Sequence, residues 1–324
     1  MKLFLLLISV FVVLILLTLL ISLICFYMAF YVPSRKSRSN EEYDTPKGAI
    51  YDPHREQMIS WMKETREMPH KDLTITSFDG LKLYGKYYEY DPGAPIELMF
   101  HGYRGSAERD LSGGVQRCFA LGRNVLLVDQ RTSGRSEGHV ITFGINESRD
   151  CLAWIDALID HFGPEVKIIL TGISMGAATV MMASGQDLPS NVIGILADCG
   201  YSSAQDIIKK TIRDMKLPPV LLYPFVKLGA RIYGHFDLEE TSPIQAIKKC
   251  RLPIIFIHGE ADDFVPCEMS RCIFDACPSP KIIHTVPGAG HGLGYLVDLD
   301  GYLDTVVNFS NNNGIPTTVQ KSRL

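Results

Sequence analysis

The sequence predicts an α/β domain with a mostly parallel sheet, carried behind an N-terminal apolar helix. Two observations predict this organisation. Residues 3–32 contain no charged side chain, and the rest of the chain alternates short, branched apolar segments with segments of helical length. Such alternation is typical of parallel strands joined by helices, which cover both faces of the sheet.

The apolar N-terminal segment is predicted to be an uncleaved, single-pass membrane anchor over residues 3–32. As a helix it would extend about 45 Å, against about 30 Å for the hydrocarbon core of a bilayer. A cleaved signal peptide is the alternative. Its apolar region is normally much shorter and ends in a small-x-small cleavage site, and "FYMAFYVPSRKS" offers no convincing site of that kind. The pattern therefore favours an anchor.

The basic residues that flank this segment favour a cytoplasmic domain, although the side of the membrane stays open. Arg35, Lys36 and Arg38 follow the segment, and only Lys2 precedes it. Cytoplasmic flanks carry the excess of positive charge. The eight cysteines show no disulfide framework, and free thiols suit a reducing compartment.

Charge and motif content exclude several classes of partner. Beyond the first 38 residues, 28 basic side chains stand against 36 acidic ones, which argues against a nucleic-acid surface. Cys267, Cys272 and Cys277 recur every five residues, about 140° apart on a helix, so they cannot converge on one metal ion. No glycine-rich fingerprint for dinucleotide binding is present. We therefore expect neither a metal nor a cofactor.

After the anchor, the pattern predicts a linker over 33–50, one domain over 51–312 and a flexible tail over 313–324. Residues 52–68 form a helical stripe that could lie on the bilayer or, as we favour, pack on the domain. A β-hairpin is predicted around Asp79 and Gly80. Buried strands are predicted at "IELMF", "NVLLVD", "VKIILTG", "NVIGILAD", "LPIIFIHG" and "KIIHTV", with helices over 108–122, 146–161, 175–185, 264–276 and 295–310. A proline-interrupted insertion over about 202–250 breaks this rhythm.

"GISMG" places Ser174 between Gly172 and Gly176, after a predicted strand and before a predicted helix. This is the setting of a nucleophile elbow, in which a sharp turn lifts the hydroxyl clear of the sheet. Side chains at the two glycine positions would clash where strand and helix approach each other. The sequence therefore predicts Ser174 to be a nucleophile rather than part of an ordinary glycine turn.

A nucleophilic serine needs a base, and the base needs an orienting acid. His291 follows the last predicted strand in "VPGAGHGLG", and Asp262 follows the preceding strand in "HGEADDFVP". Sites on parallel sheets gather in loops at the carboxyl ends of strands. We predict His291 as the base and Asp262 as the acid, with Asp263 and Asp198 as rivals for the acid.

An oxyanion hole is predicted from two backbone N–H groups. The loop "HGYRG" follows a buried strand and supplies Tyr103, and Met175 directly follows Ser174. Donors of this kind stabilise the negative charge that develops on a tetrahedral intermediate.

Together these segments resemble the α/β-hydrolase superfamily over about residues 70–310. The resemblance rests on "HGYRG", "DQRTSGRSEG", "GISMG", "HGEADDFVP" and "GAGHG", in the order serine, acid, histidine. The family pattern H-G-x-x-D-x-x-V-P aligns Asp262 with the acid. Thr132 stands where the family has a glycine. The resemblance implies an eight-stranded, mostly parallel sheet with helices on both faces and a short helical cap over about 202–250, between strands six and seven.

Within the superfamily the chain looks most like small serine esterases and lysophospholipase-like or peptidase-like members. We expect a membrane-anchored serine hydrolase of carboxylic esters, and the apolar cap and the anchor together suggest the hypothesis that lipophilic esters or lysolipids are substrates. A peptidase or amidase of the same fold is the alternative, and a non-catalytic binding module is a further one. The oligomeric state is not predicted. The pocket wall is expected from an apolar run in the cap: Leu221, Leu222, Tyr223, Phe225 and Val226.

Overall fold

One eight-stranded sheet organises the described part of the chain, in the order β1-β2-β4-β3-β5-β6-β7-β8. β1 pairs antiparallel with β2 and β2 antiparallel with β4, whereas every other pair is parallel. The strands are β1 Lys71–Thr76, β2 Lys82–Tyr88, β3 Ile96–Phe100, β4 Asn124–Asp129, β5 Ile168–Ile173, β6 Val192–Asp198, β7 Ile254–Gly259 and β8 Lys281–Val286. The predicted fold class is confirmed.

The computed structural model describes residues 1–33 and 42–319. Parts of the predicted linker (33–50) and tail (313–324) lie outside the described residues, as do Arg35, Lys36 and Arg38. The boundaries of the predicted segments therefore stay predictions.

The helices lie before, between and after the strands. They are α1 Lys2–Ala29, α2 Arg55–Glu67, α3 Ala107–Ala120, α4 Ile145–Phe162, α5 Met175–Ala183, α6 Ala204–Asp214, α7 Pro219–Tyr233, α8 Pro243–Ala246, α9 Cys267–Ala276, α10 Gly294–Val297 and α11 Leu299–Asn312. The insertion between β6 and β7 contains α6, α7 and α8, which form the helical cap that the family resemblance implies.

The strand order reverses direction at β3, which lies between β4 and β5. The connections that leave the carboxyl ends of β3 and β5 therefore diverge to opposite sides and leave a crevice between them. Ligands of open parallel sheets bind at such switch points. The loop 101–106 follows β3 and Ser174 follows β5, so both candidate elements of the site begin at this crevice.

α1 is the one helix of the described residues that is long and apolar enough to cross a bilayer. A signal sequence near the N-terminus passes the same test of length and composition, so this test alone does not separate it from an anchor. Its first part is exposed, but its last turns pack on the cap and the domain, where Phe26 is 5% and Phe30 0% exposed. α1 and α7 approach closely, since a Cβ added at Gly229 would lie 2.5 Å from the Ser22 carbonyl oxygen.

α2 packs on the domain, as favoured from its apolar stripe. Met62 and Thr65 are each only 2% exposed. Trp61 stacks on Tyr295 with ring centroids 5.6 Å apart, and it lies so close to α3 that a Cβ at Gly113 would meet its ring at 2.5 Å. A segment that precedes the sheet in the chain is thus brought over the carboxyl ends of the central strands.

Candidate active site

Ser174 occupies a strained turn between β5 and α5. Its φ is 56° and its ψ is −114°, a conformation that a residue with a side chain rarely adopts. Two glycines allow the turn. A Cβ at Gly172 would lie 2.1 Å from the Gly176 carbonyl, and a Cβ at Gly176 would lie 2.0 Å from the Phe100 carbonyl oxygen. Backbone strain of this kind is concentrated at functional sites.

A chain of hydrogen bonds joins Ser174, His291 and Asp262. His291 Nε2 lies 2.9 Å from Ser174 Oγ, and His291 Nδ1 lies 2.6 Å from Asp262 Oδ2. The three residues come from the ends of β5, β8 and β7, so the sheet brings together side chains far apart in the chain. One ring nitrogen faces the hydroxyl and the other faces the carboxylate, the arrangement that a general base and its orienting acid require.

Hydrogen-bond donors surround the Asp262 carboxylate and keep it ionised. Its Oδ1 accepts the N–H groups of Phe264 and Val265, at 2.9 and 2.8 Å. Its Oδ2 also lies 3.2 Å from Nε2 of the fully buried His258. Burial raises the pKa of Asp262, but hydrogen bonds from His258 and His291 outweigh it and lower the pKa to about 2. The carboxylate therefore stays charged at neutral pH.

The sequence indicates a structural role for His258 at the end of a strand, but not its contact with Asp262. Its Nδ1 lies 2.6 Å from Ser270 Oγ and its Nε2 lies 2.8 Å from the Val265 carbonyl oxygen. It thus fixes the loop that carries Asp262. The only signal in the sequence was the spacing in "HGEAD", which places the histidine four residues before the acid at the end of the same strand.

The two other candidates for the orienting acid, Asp263 and Asp198, have different surroundings from those of Asp262. Asp263 is exposed, and its carbonyl oxygen accepts a hydrogen bond from Lys210. Asp198 is 8% exposed, and its backbone carbonyl accepts the Ser174 N–H at 2.8 Å. No hydrogen bond joins the Asp198 side chain to His291 among the described residues. Burial raises the pKa of the Asp198 carboxyl to about 6.

The candidate oxyanion groups come from the residue after Ser174 and from a loop packed against it. Met175 is the first residue of α5, so its N–H has no partner within the helix. The loop that carries Tyr103 lies against the nucleophile, since a Cβ at Gly102 would be 3.5 Å from Ser174 Cβ. The Gly102 N–H donates to Asp110 Oδ2 at 3.0 Å, which ties this loop to α3. The hypothesis that the N–H groups of Tyr103 and Met175 form the hole stays a proposal.

A cavity of about 230 Å³ opens beside Ser174 and His291. α3 contributes more lining residues than any other element, α2, β5 and α10 contribute others, and the wall is largely apolar. Its polar members include Asp198, Arg109 and Asp110. The apolar side chains on the wall include Met58, Trp61, Met99, Phe264, Tyr295 and Leu296.

The five cap residues predicted to wall the pocket do not line this cavity, so that prediction is wrong for it. They are Leu221, Leu222, Tyr223, Phe225 and Val226, all in α7. Tyr223 and Val226 are buried in a cluster with Phe26 and Phe30 of the N-terminal segment, and Leu221 is 63% exposed. The apolar face of α7 is used against α1, which composition alone did not reveal.

One group of potential metal ligands occurs among the described residues, and it overlaps the hydrogen-bonded chain. Atoms of Cys199, Asp262 and His291 lie within 4.8 Å of one another. Asp262 and His291 already bond each other at 2.6 Å. Burial raises the pKa of the Cys199 thiol well above its usual range, and metal binding requires the thiolate. The donor set therefore fits the hydrogen-bonded chain better than it fits an ion.

Comparison with known proteins agrees with this architecture. A family model described as "alpha/beta hydrolase fold" matches residues 98–227. The esterase Pf2001 of Pyrococcus furiosus superposes with a TM-score of 0.65 and 21% identity, over 87% of this chain and 98% of that one. The described residues therefore have the α/β-hydrolase fold, which the family model and the superposition both support.

Two curated relatives are similar over more than half of the chain. YqkD of Bacillus subtilis is 27% identical over 193 residues, which are 59% of this chain and 63% of YqkD. The chain thus spans less than two thirds of that relative. A Saccharomyces cerevisiae protein, YNL320W, described as a membrane protein, is 22% identical over 255 residues, which are 78% of this chain and 83% of the relative.

Replacing Asp262 by asparagine should cripple turnover, whereas Asp263→Asn should not. The amide removes the charge that orients His291 and stabilises its protonated form, so kcat should fall by about 10³–10⁴. Asp263 is exposed and one residue further on, so its variant is a matched control. Steady-state rates on one activated ester decide the assignment, and a larger loss in Asp263→Asn would contradict it.

Proposed function

We propose that this α/β-hydrolase is a membrane-anchored serine hydrolase that cleaves carboxylic esters through an acyl-enzyme. The observation that carries the proposal is the hydrogen-bonded chain Ser174–His291–Asp262 at a strained elbow. A serine so placed and so partnered is an activated nucleophile. The cavity that opens at its hydroxyl supplies room for an acyl group or a leaving alcohol.

The geometry leads to a two-step reaction. His291 Nε2 takes the proton of Ser174 Oγ as this oxygen attacks the ester carbonyl, and the Tyr103 and Met175 N–H groups receive the resulting oxyanion. His291 then gives the proton to the departing alcohol, which leaves an acyl group on Ser174. Water repeats the sequence, with His291 as its base, and releases the carboxylic acid. Asp262 holds the imidazole in the orientation that both steps use.

The walls of the cavity favour small, lipophilic acyl groups. Its volume of about 230 Å³ is below the roughly 300–1,000 Å³ of pockets that enclose drug-sized ligands. Met58, Trp61, Tyr295 and Leu296 present apolar surface, and burial of each methylene contributes about 0.8 kcal/mol. Short to medium acyl chains should therefore bind better than acetyl.

Retention of α1 as an anchor is supported by its packing. The Val32 N–H donates to the His139 carbonyl oxygen at 2.8 Å, and the Ile141 N–H donates to the Phe30 carbonyl oxygen at 2.9 Å. Cleavage after this segment would strip Phe26 and Phe30 from a buried cluster and expose the apolar face of α7.

The full chain in detergent should hydrolyse 4-nitrophenyl esters, and Ser174→Ala should reduce the rate to background because the nucleophilic oxygen is gone. Release of 4-nitrophenol measures this directly. Matched 4-nitroanilides test the amidase alternative. Faster turnover of anilides than of esters would overturn the ester assignment, and an inactive, well-folded wild type would overturn the proposal as a whole.

Shortening Met58 should shift the acyl-chain preference toward longer esters, because Met58→Ala enlarges the cavity at its wall. The control is Leu221→Ala, which shortens an exposed cap residue outside this cavity. The kcat/KM values for acetyl, butyryl, octanoyl and decanoyl esters give the preference. If the acyl-chain preference shifted in Leu221→Ala but not in Met58→Ala, the pocket wall would instead be formed by the cap.

A further inference from the structure

The C-terminal end of α1 contacts the loop that carries the proposed oxyanion donor. The Tyr103 hydroxyl donates to the Ala29 carbonyl oxygen at 2.7 Å. Arg104 Nη2 donates to the Met28 carbonyl oxygen at 2.9 Å and to that of Tyr31 at 3.2 Å. Two consecutive loop residues therefore bind three carbonyl groups at the end of the membrane helix.

These contacts stabilise both the end of the helix and the loop. The last carbonyl groups of a helix lack partners within it and form the negative end of its dipole, so a guanidinium and a hydroxyl donor stabilise them. Arg104 has a φ of 53°, and a residue other than glycine holds this conformation only where its surroundings impose it. The helix end thus helps to impose the backbone conformation beside the Tyr103 N–H.

The helix end is itself held rigidly by the domain. Tyr31 forms an antiparallel β-bridge with Val140. Phe30 is fully buried, with its ring 5.7 Å from Phe143 and 5.2 Å from Phe236. The Phe143 ring also lies 5.1 Å from that of Tyr103. Helix end, cap and oxyanion loop therefore share one packed cluster.

We infer that the end of the membrane helix, residues 28–32, positions the oxyanion loop, so that α1 is part of the catalytic scaffold as well as an anchor. The side chains of Tyr103 and Arg104 are positioning residues, because they act through the backbone between them. The inference rests on the proposed function. It assigns the anchor an effect on kcat that a simple tether would not have.

The test compares two tyrosines of the full chain that make the same kind of bond to α1. Tyr103→Phe removes the hydroxyl bound to Ala29. Tyr233→Phe removes a hydroxyl that donates to the Leu19 carbonyl oxygen at 3.1 Å, ten residues or about 15 Å further along the helix. Both variants keep the ring and every backbone N–H group.

Tyr103→Phe should lower kcat about tenfold with little change in KM, since loss of an entire oxyanion donor costs about 10²–10³ and displacement costs less. Tyr233→Phe should retain the wild-type kcat. Inhibition by a trifluoromethyl ketone, which forms a tetrahedral oxyanion on the serine, should weaken in Tyr103→Phe by the same factor. Inhibition by the product acid should not weaken.

The inference would be overturned if the two variants had the same kcat. It would also be overturned if both variants lost kcat and thermal stability to the same extent. Arg104→Met, which keeps the stem and removes the donors to Met28 and Tyr31, decides the matter if Tyr103→Phe fails to fold. Failure of the proposed function is distinguishable, because the wild-type chain would then turn over no ester.

Discussion

The close contact between α5 and the strands β3 and β5 is the constraint on which the site depends. Gly172 and Gly176 leave no room for a Cβ, so the helix begins directly against the sheet and the chain must turn sharply between them. This turn forces Ser174 into a positive φ and makes Met175 the first residue of α5, whose N–H has no partner within the helix. Every other group of the proposed mechanism is arranged around that fixed hydroxyl.

The elements around Ser174 bury the charge of Asp262 and stabilise it with hydrogen bonds. Asp262 meets His291 and His258 on one oxygen and two backbone N–H groups on the other, so its charge is retained although it is only 6% exposed. The loop that carries Tyr103 is held by hydrogen bonds to Asp110 of α3 and to the carbonyl end of α1. Loops of the sheet, α3 and the end of α1 thus hold the groups around Ser174.

The parallel sheet and the local turn at Ser174 could be predicted from sequence, because strand periodicity and the two glycines act over a few residues. Residue type alone does not reveal every such turn. Thr132 adopts a φ of 74°, a conformation that favours glycine, at a position where the family has glycine. The pocket wall could not be predicted. α7 is far more apolar than α2, which made it the expected wall. In the structure α7 packs with Phe26 of the N-terminal segment, and α2 supplies Trp61 to the cavity.

The most direct test of the account is reaction of the full chain with a fluorophosphonate, followed by mass spectrometry of its peptides. Only an activated serine forms the covalent phosphonate rapidly. The account predicts one adduct, on the peptide that contains Ser174, and its loss in His291→Ala. A folded wild-type chain that stays unmodified, or one modified at another serine, would contradict the assignment of Ser174 as the nucleophile.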